Sequence, residues 1–228
     1  MEHAAVVFQF GPLRITSIVV TTWGIMILLG LFCWIATRRL STDPGPLQAM
    51  LEGIVSAVED AIAAVLPRRA GMVLPFIATL WIYIALSNLT GLIPGLDSPT
   101  GSLSVTAGLA LLVFLSVHWY GIRCLGVIGY LRHYLSPSPM LLPFHVISEL
   151  SRTLALAVRL FGNIMSLEMA ALLVLLVAGL LIPVPLLMLH IIEALVQAYI
   201  FGMLALIYLA GAMQSQDEIN QPEKGQST

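Results

Sequence analysis

Five predominantly apolar stretches, each long enough to cross a lipid bilayer, leave this chain almost no choice of solvent. They cover residues 15–37, 70–96, 98–117, 147–181 and 186–213, against the ~20 residues a helix needs to span a hydrocarbon layer ~30 Å thick. Composition agrees with that reading. Of 228 residues, 59% are hydrophobic and only 10% charged, too little polar surface to cover a water-soluble globule. The expected fold class is therefore an all-α polytopic membrane protein. Residues 1–213 form a single membrane domain with no internal repeat, and 214–228 a polar tail whose composition cannot bury apolar area and is expected to be disordered.

The first stretch has Arg14 as its sole basic neighbour upstream and lacks a small-residue cleavage site, so it reads as a retained helix and not a signal peptide. The cluster Pro94-Gly95-Leu96-Asp97-Ser98-Pro99 marks a tight turn that makes the second and third stretches an antiparallel hairpin. The last two stretches exceed the bilayer thickness and meet at Pro183 and Pro185, which predicts a steeply inclined pair. Between the first and second stretches, residues 47–66 place Leu47, Met50, Leu51, Ile54, Val55, Val58, Ile62 and Val65 at helical spacing, the pattern of an amphipathic helix. Arg38 and Arg39, Arg68 and Arg69, and Arg123, Arg132 and Arg152 flank the same ends of the stretches. Those ends are expected on the cytoplasmic side, with the N-terminus outside and the tail inside.

A net charge of −2 and arginines scattered with no run longer than two give no footprint for nucleic acid. Cys33 and Cys124 have neither metal-ligand nor disulfide spacing and read as small apolar residues. No cofactor or metal site is expected.

The charges that remain inside apolar stretches carry the functional signal. Arg159 cannot be deprotonated, and placing it at bilayer depth costs at least about 2.5–3.5 kcal/mol. Asn163, four residues on, shares its helix face, whereas Glu168 lies about 180° around the helix and ~13 Å nearer the Pro183 turn. A private ion pair between Arg159 and Glu168 is thereby disfavoured. On the last stretch His190, Glu193 and Gln197 form one polar stripe at i, i+3 and i+7. Counted back from the turn, Glu168 falls level with Glu193 and Gln197, and a cluster of Glu168, His190 and Glu193 open to the outer face could relay protons. His190 by itself could equally be a satisfied core histidine, and Asn163 and Gln197 could simply bind neighbouring helices. Ser87 and Asn88 read more as packing residues than as channel lining. Glu149 and Arg152, three residues apart, are expected to form an interfacial ion pair.

The segment I-S-E-L-S-R-T-L-A-L-A-V-R-L-F-G-N, residues 147–163, resembles the signature of the a subunit of F-type ATP synthases, the membrane stator facing a rotating ring of c subunits. P-F-I-A-T-L-W-I-Y-I-A-L-S-N-L-T-G-L-I-P-G (75–95) and H-I-I-E-A-L-V-Q-A-Y-I-F-G-M-L-A-L-I-Y-L (190–209) are similar to two further blocks of that family. The resemblance implies that Arg159 opposes a c-ring carboxylate, with Asn163, Glu168, His190 and Gln197 at channel-lining positions; Glu193 matches less closely. It also implies c-ring, peripheral-stalk b and, indirectly, F1-sector partners in a bacterial inner membrane, and no ATP-hydrolysing site on this chain. Two features depart from the family pattern: Gly101-Ser102 replaces a small residue followed by Asp or Asn, and Thr153 replaces a proline, which should leave that helix turn less kinked. The competing functional class is a secondary transporter with a buried Arg/Glu/His site, which would show repeats and helices broken at mid-membrane.

Overall fold

A computed structural model describes residues 6–10, 13–38, 45–93, 96, 98–135, 142–178 and 183–219. Among the described residues six α-helices carry the architecture: α1 (Ser17–Thr37), α2 (Pro46–Val65), α3 (Ala70–Thr90), α4 (Leu103–Leu135), α5 (Leu142–Ala178) and α6 (Pro183–Ile219). Five of them, all but α2, contain segments long and apolar enough to cross a membrane. The all-α polytopic expectation thus holds for the membrane part.

The element boundaries differ from the sequence reading for identifiable reasons. Residues 6–10 and 13–16, rich in β-branched and aromatic types, form a short antiparallel hairpin, β1 (Val6–Phe10) and β2 (Leu13–Thr16), so the first span begins at Ser17. The second span stops at Thr90, with Gly91 as its cap. The third begins only at Leu103, because Pro99, Thr100 and Gly101 form a 3-10 turn before it. Helix α4 then runs well past residue 117 to Leu135, interrupted at Gly126, whose φ of 70° belongs to the left-handed region open to glycine. At the far end α6 continues to Ile219, so the first residues assigned to the polar tail are helical; residues 220–228 lie outside the described residues, as do Pro94, Gly95 and Asp97 of the first turn and 179–182 of the second.

Helices α3 to α6 form the core bundle, with α4 against α5 and α3 against α6 as its main pairings. The α3–α6 contact follows from small residues at four-residue spacing on α6: Ala194, Ala198 and Gly202 are all buried. Such a seam lets membrane helices approach closely, because neighbouring lipid supplies no hydrophobic drive and packing must come from contact. Trp81 of α3 occupies the space where Gly202 lacks a side chain; a Cβ there would collide with the indole. The same indole stacks on Tyr199, ring centroids 5.5 Å apart. Below this seam Ile77, Val73, Leu206 and Leu209 fill the core, and Arg69 at the start of α3 donates from Nη1 to the Met213 carbonyl of α6 at 3.4 Å.

Helix α2 has the amphipathic form expected for 47–66, but only its C-terminal half packs on the bundle. Val58 and Ile62 are buried, whereas Leu47, Met50, Ile54 and Val55 are exposed. Helix α1 stands apart, with Ile25 its one buried side chain among the described residues. Between α1, α3 and α4 lies an apolar groove of about 730 Å³ walled by residues such as Met26, Phe76 and Leu109. Cys33 and Cys124 are both free thiols.

The seam generates a test. Gly202→Val should overpack the α3–α6 contact by about 1–3 kcal/mol and lower the thermal unfolding midpoint of the detergent-solubilised chain. Gly24→Val, where a Cβ meets no atom within 4 Å, should leave the midpoint unchanged, and Trp81→Ala in the Gly202→Val background should recover part of the loss.

Candidate functional site

The polar residues singled out from the sequence separate into an outward-facing charge and an inward-facing cluster. Arg159 is exposed on α5, and among the described residues none bonds to it. Exposed residues at helical spacing around it on α5, Ser148, Arg152, Ala155 and Ser166, are polar or small, and Leu154 and Val158 are exposed further round the helix. Leu156, Leu160, Ile164 and Leu167, on the other side of α5, are buried.

Asn163 is half-buried and donates from Nδ2 to Oε1 of Gln197 at 2.7 Å, joining α5 to α6 one helical turn from Arg159. This bond fixes the register of the antiparallel pair. Gln197 is level with Asn163, and the five-residue step to Glu168 brings that carboxylate level with Ile192 and Glu193. The sequence count therefore placed Glu193 correctly against Glu168 but Gln197 a turn too far along. His190 and Gln197 are 3% and 2% exposed on the buried face of α6, and Glu193 sits half-buried at its edge.

Glu168 turns away from Arg159, as the wheel required, and its carboxylate reaches the cap of α3 and the 3-10 turn. Its oxygens lie 3.2 to 3.3 Å from the positions a Cβ would take on Gly91 and Gly101. Around that point the two chain segments are knitted by side-chain hydrogen bonds. Thr100 Oγ1 donates to Asn88 Oδ1 at 2.7 Å, Asn88 Nδ2 donates to the Ala194 carbonyl of α6 at 3.1 Å, and Ser98 Oγ donates to the Ser87 carbonyl at 2.9 Å. Ser87, Asn88, Ser98 and Thr100 are all buried. Asn88 is thus a packing residue that also brings polar atoms to the cluster. Ser98 and Thr100 escaped the sequence reading, although the polar run S-P-T-G-S between two apolar spans was their available signal.

Ser87 Oγ, His190 Nε2 and Gln197 Nε2 are buried in this region and have no hydrogen-bond partner among the described residues. Buried polar atoms of this kind are normally satisfied by water. Together with Glu168 they mark a polar tract running from the α3–α4 turn toward the Asn163–Gln197 bond. Among the described residues no group of three His, Cys, Asp or Glu side chains is arranged to hold a metal ion.

At the opposite end of α5 the expected Glu149–Arg152 pair is replaced by two others. Glu149 approaches His118 of α4, Oε2 to Nε2 3.8 Å, whereas Arg152 bonds to Ser148 at 3.4 Å and stacks over the Tyr208 ring at 5.3 Å. The pairing changes because α4 and α6 flank this turn of α5 and offer partners that spacing along one helix cannot reveal. Thr153 donates to the Glu149 carbonyl at 2.9 Å within continuous helix. Helices α5 and α6 run unbroken past Arg159, Glu168 and His190, unlike the mid-membrane breaks of a secondary transporter site.

Comparison with known proteins converges on one group. Residues 19–210 match the family model described as ATP synthase A chain. The chain is 63% identical over 224 residues to "ATP synthase subunit a 2" of Pelobacter propionicus, covering 98% of both proteins. It is 64% identical over 220 residues to "ATP synthase subunit a 1" of Hahella chejuensis, covering 96% of this chain and 94% of that one. Against "ATP synthase subunit a" of Legionella pneumophila (strain Philadelphia 1) it is 58% identical over 217 residues, covering 95% and 94%.

The register bond is separable from the rest of the site. Asn163→Leu and Gln197→Leu should each destabilise the solubilised chain by about 0.6–1.7 kcal/mol, the range found for hydrogen bonds between membrane helices. The double variant should lose less than the sum of the two, as read from a thermal double-mutant cycle.

Proposed function

The chain belongs to the ATP synthase A chain family, and we propose that Arg159 is the fixed charge past which a rotor carboxylate carries each ion. As a multi-pass membrane subunit of a multi-subunit complex, the protein takes part in proton translocation. The observation that carries the proposal is the placement of Arg159: a guanidinium exposed within an apolar spanning segment, with no bond from any described residue. A permanent charge at bilayer depth needs an opposite charge, and here that charge must come from another chain.

The mechanism follows from this separation. Moving one proton across the membrane releases ~2.3 kcal/mol per 100 mV, which does work only if the ion must ride the rotor. Glu168 and His190, with Glu193 at the edge, form the outward half-channel, and the Ser87, Asn88, Ser98 and Thr100 network forms its wall. Water reaching the unpartnered atoms of Ser87, His190 and Gln197 completes that path. Asn163, one turn from Arg159 toward the same end, closes the path through its bond to Gln197. The inward route then starts on the other side of Arg159.

At the junction Arg159 favours the ionised form of an arriving carboxylate, promotes release of its ion, and repels any cation attempting to pass straight through. The c ring is the partner on the α5–α6 face, peripheral-stalk b subunits and the F1 sector complete the assembly, and the complex sits in the bacterial inner membrane. The chain's N-terminus lies outside, its C-terminus in the cytoplasm. Apolar segments of 32 and 29 residues in α5 and α6 exceed the bilayer thickness, which supports an inclined pair presenting a long surface to the ring.

The test is ATP-driven proton uptake by membrane vesicles. Arg159→Ala should reduce uptake to background while the complex still assembles, and a variant that pumps with normal coupling would overturn the proposal. Arg159→Lys should also fail, because a compact ammonium lacks the delocalised fork of guanidinium.

A further inference from the structure

Gly101 and Gly91 approach the Glu168 carboxylate more closely than any other glycines among the described residues approach a charged group. An added Cβ at Gly101 would lie 3.2 Å from Glu168 Oε2, 3.3 Å from Oε1 and 3.6 Å from the carboxyl carbon, and these are its three nearest atoms. One at Gly91 would lie 3.2 Å from Oε1, with the Ser98 Cβ equally near. The carboxylate is held between the cap of α3 and the 3-10 turn, two segments that the Asn88–Thr100 bond ties together.

Backbone conformation does not account for these glycines. Gly126 is the one described residue with positive φ, so Gly101 and Gly91 occupy backbone that alanine adopts without strain. At such positions alanine is ordinarily favoured by about 0.4–1 kcal/mol through the unfolded chain. What glycine supplies at 101 is space, and the three nearest atoms bordering that space among the described residues all belong to the Glu168 carboxyl.

We propose that Gly101 is a positioning residue for Glu168: by leaving out a side chain it lets the carboxyl seat against the 3-10 turn, and Gly91 forms the second wall of the seat. The inference rests on the reading of Glu168 as an ion-path residue. A methyl group at 101 moves the carboxyl by a few tenths of an ångström and covers one side of it with carbon. Misplacement of a transfer group by ~1 Å can cost ~100-fold in rate, so a shift of this size should cost several-fold.

The experiment measures ATP-driven proton uptake in vesicles, normalised to assembled complex, for Gly101→Ala and Gly101→Val in Glu168 and Glu168→Asp backgrounds. With Glu168 present, Gly101→Ala should lower uptake about three- to tenfold and Gly101→Val further. In the Glu168→Asp background the carboxyl is drawn back by about one methylene and no longer meets the added methyl, so Gly101→Ala should change uptake less than about twofold. Gly108→Ala, with no atom within 4 Å of its Cβ, should match the parent. Wild-type uptake in Gly101→Ala, or an equal loss in both backgrounds, overturns the seat.

Infrared difference spectra of the purified complex give a readout independent of turnover. The carboxyl band removed by Glu168→Gln should shift in Gly101→Ala, and an unshifted band overturns the proposal. The two levels of inference fail separately: if Glu168→Gln pumps normally, Glu168 is not on the path, whereas if Glu168→Gln is inactive and Gly101→Ala normal, only the seat is wrong.

Discussion

Close approach of α3 and α6 is the contact on which the rest of this structure depends. It requires Gly202, because Trp81 fills the volume that any side chain there would take. With the two helices in contact, Asn88 of α3 reaches the Ala194 carbonyl of α6 and, through its other amide atom, Thr100 of the 3-10 turn. The loop end of the α3–α4 pair is thereby drawn over the inner face of α5, where Glu168 lies. A seam of small residues, apolar and chemically mute, thus builds the wall of a polar tract. The drive is packing and hydrogen bonding, since lipid around the bundle is as apolar as its core.

The same arrangement leaves one surface uncovered. Helix α5 buries Leu156, Leu160 and Ile164 against its neighbours and leaves Arg159 exposed. Arg159 and Glu168 therefore meet two environments: Glu168 lies toward the interior of this chain and Arg159 faces outward. The Asn163–Gln197 bond lies between their levels and fixes how far α5 and α6 slide past each other. In the proposed mechanism the separation of the two charges keeps the ion path from running straight through one chain, which would dissipate the gradient.

Much of this was legible from sequence because a membrane imposes simple periodicities. Span number, the amphipathic character of α2 and the opposition of Arg159 and Glu168 all follow from counting at helical spacing against a bilayer of fixed thickness. Reading by spacing failed where partners come from other helices. Glu149 and Arg152 looked like a pair at i and i+3, yet His118 of α4 takes the first and Tyr208 of α6 the second. The level of Gln197 was a turn off because the offset between α5 and α6 is set by how the two helices pack, which no periodicity reports. The β1–β2 hairpin went unread, being too short for a pattern to stand out beside a long apolar span.

By itself the sequence determined that the chain must live in a bilayer, how many times it can cross, and that Arg159 costs too much to be idle there. Those conclusions rest on transfer free energies and helix geometry, which act residue by residue. Only the tertiary structure decided that the Glu168 carboxyl rests against two glycines distant in sequence, that Ser98 and Thr100 join Asn88, and that Arg159 is left facing outward. Each of these depends on the relative rotation and height of separate helices, quantities set by packing across the bundle and invisible along any one segment.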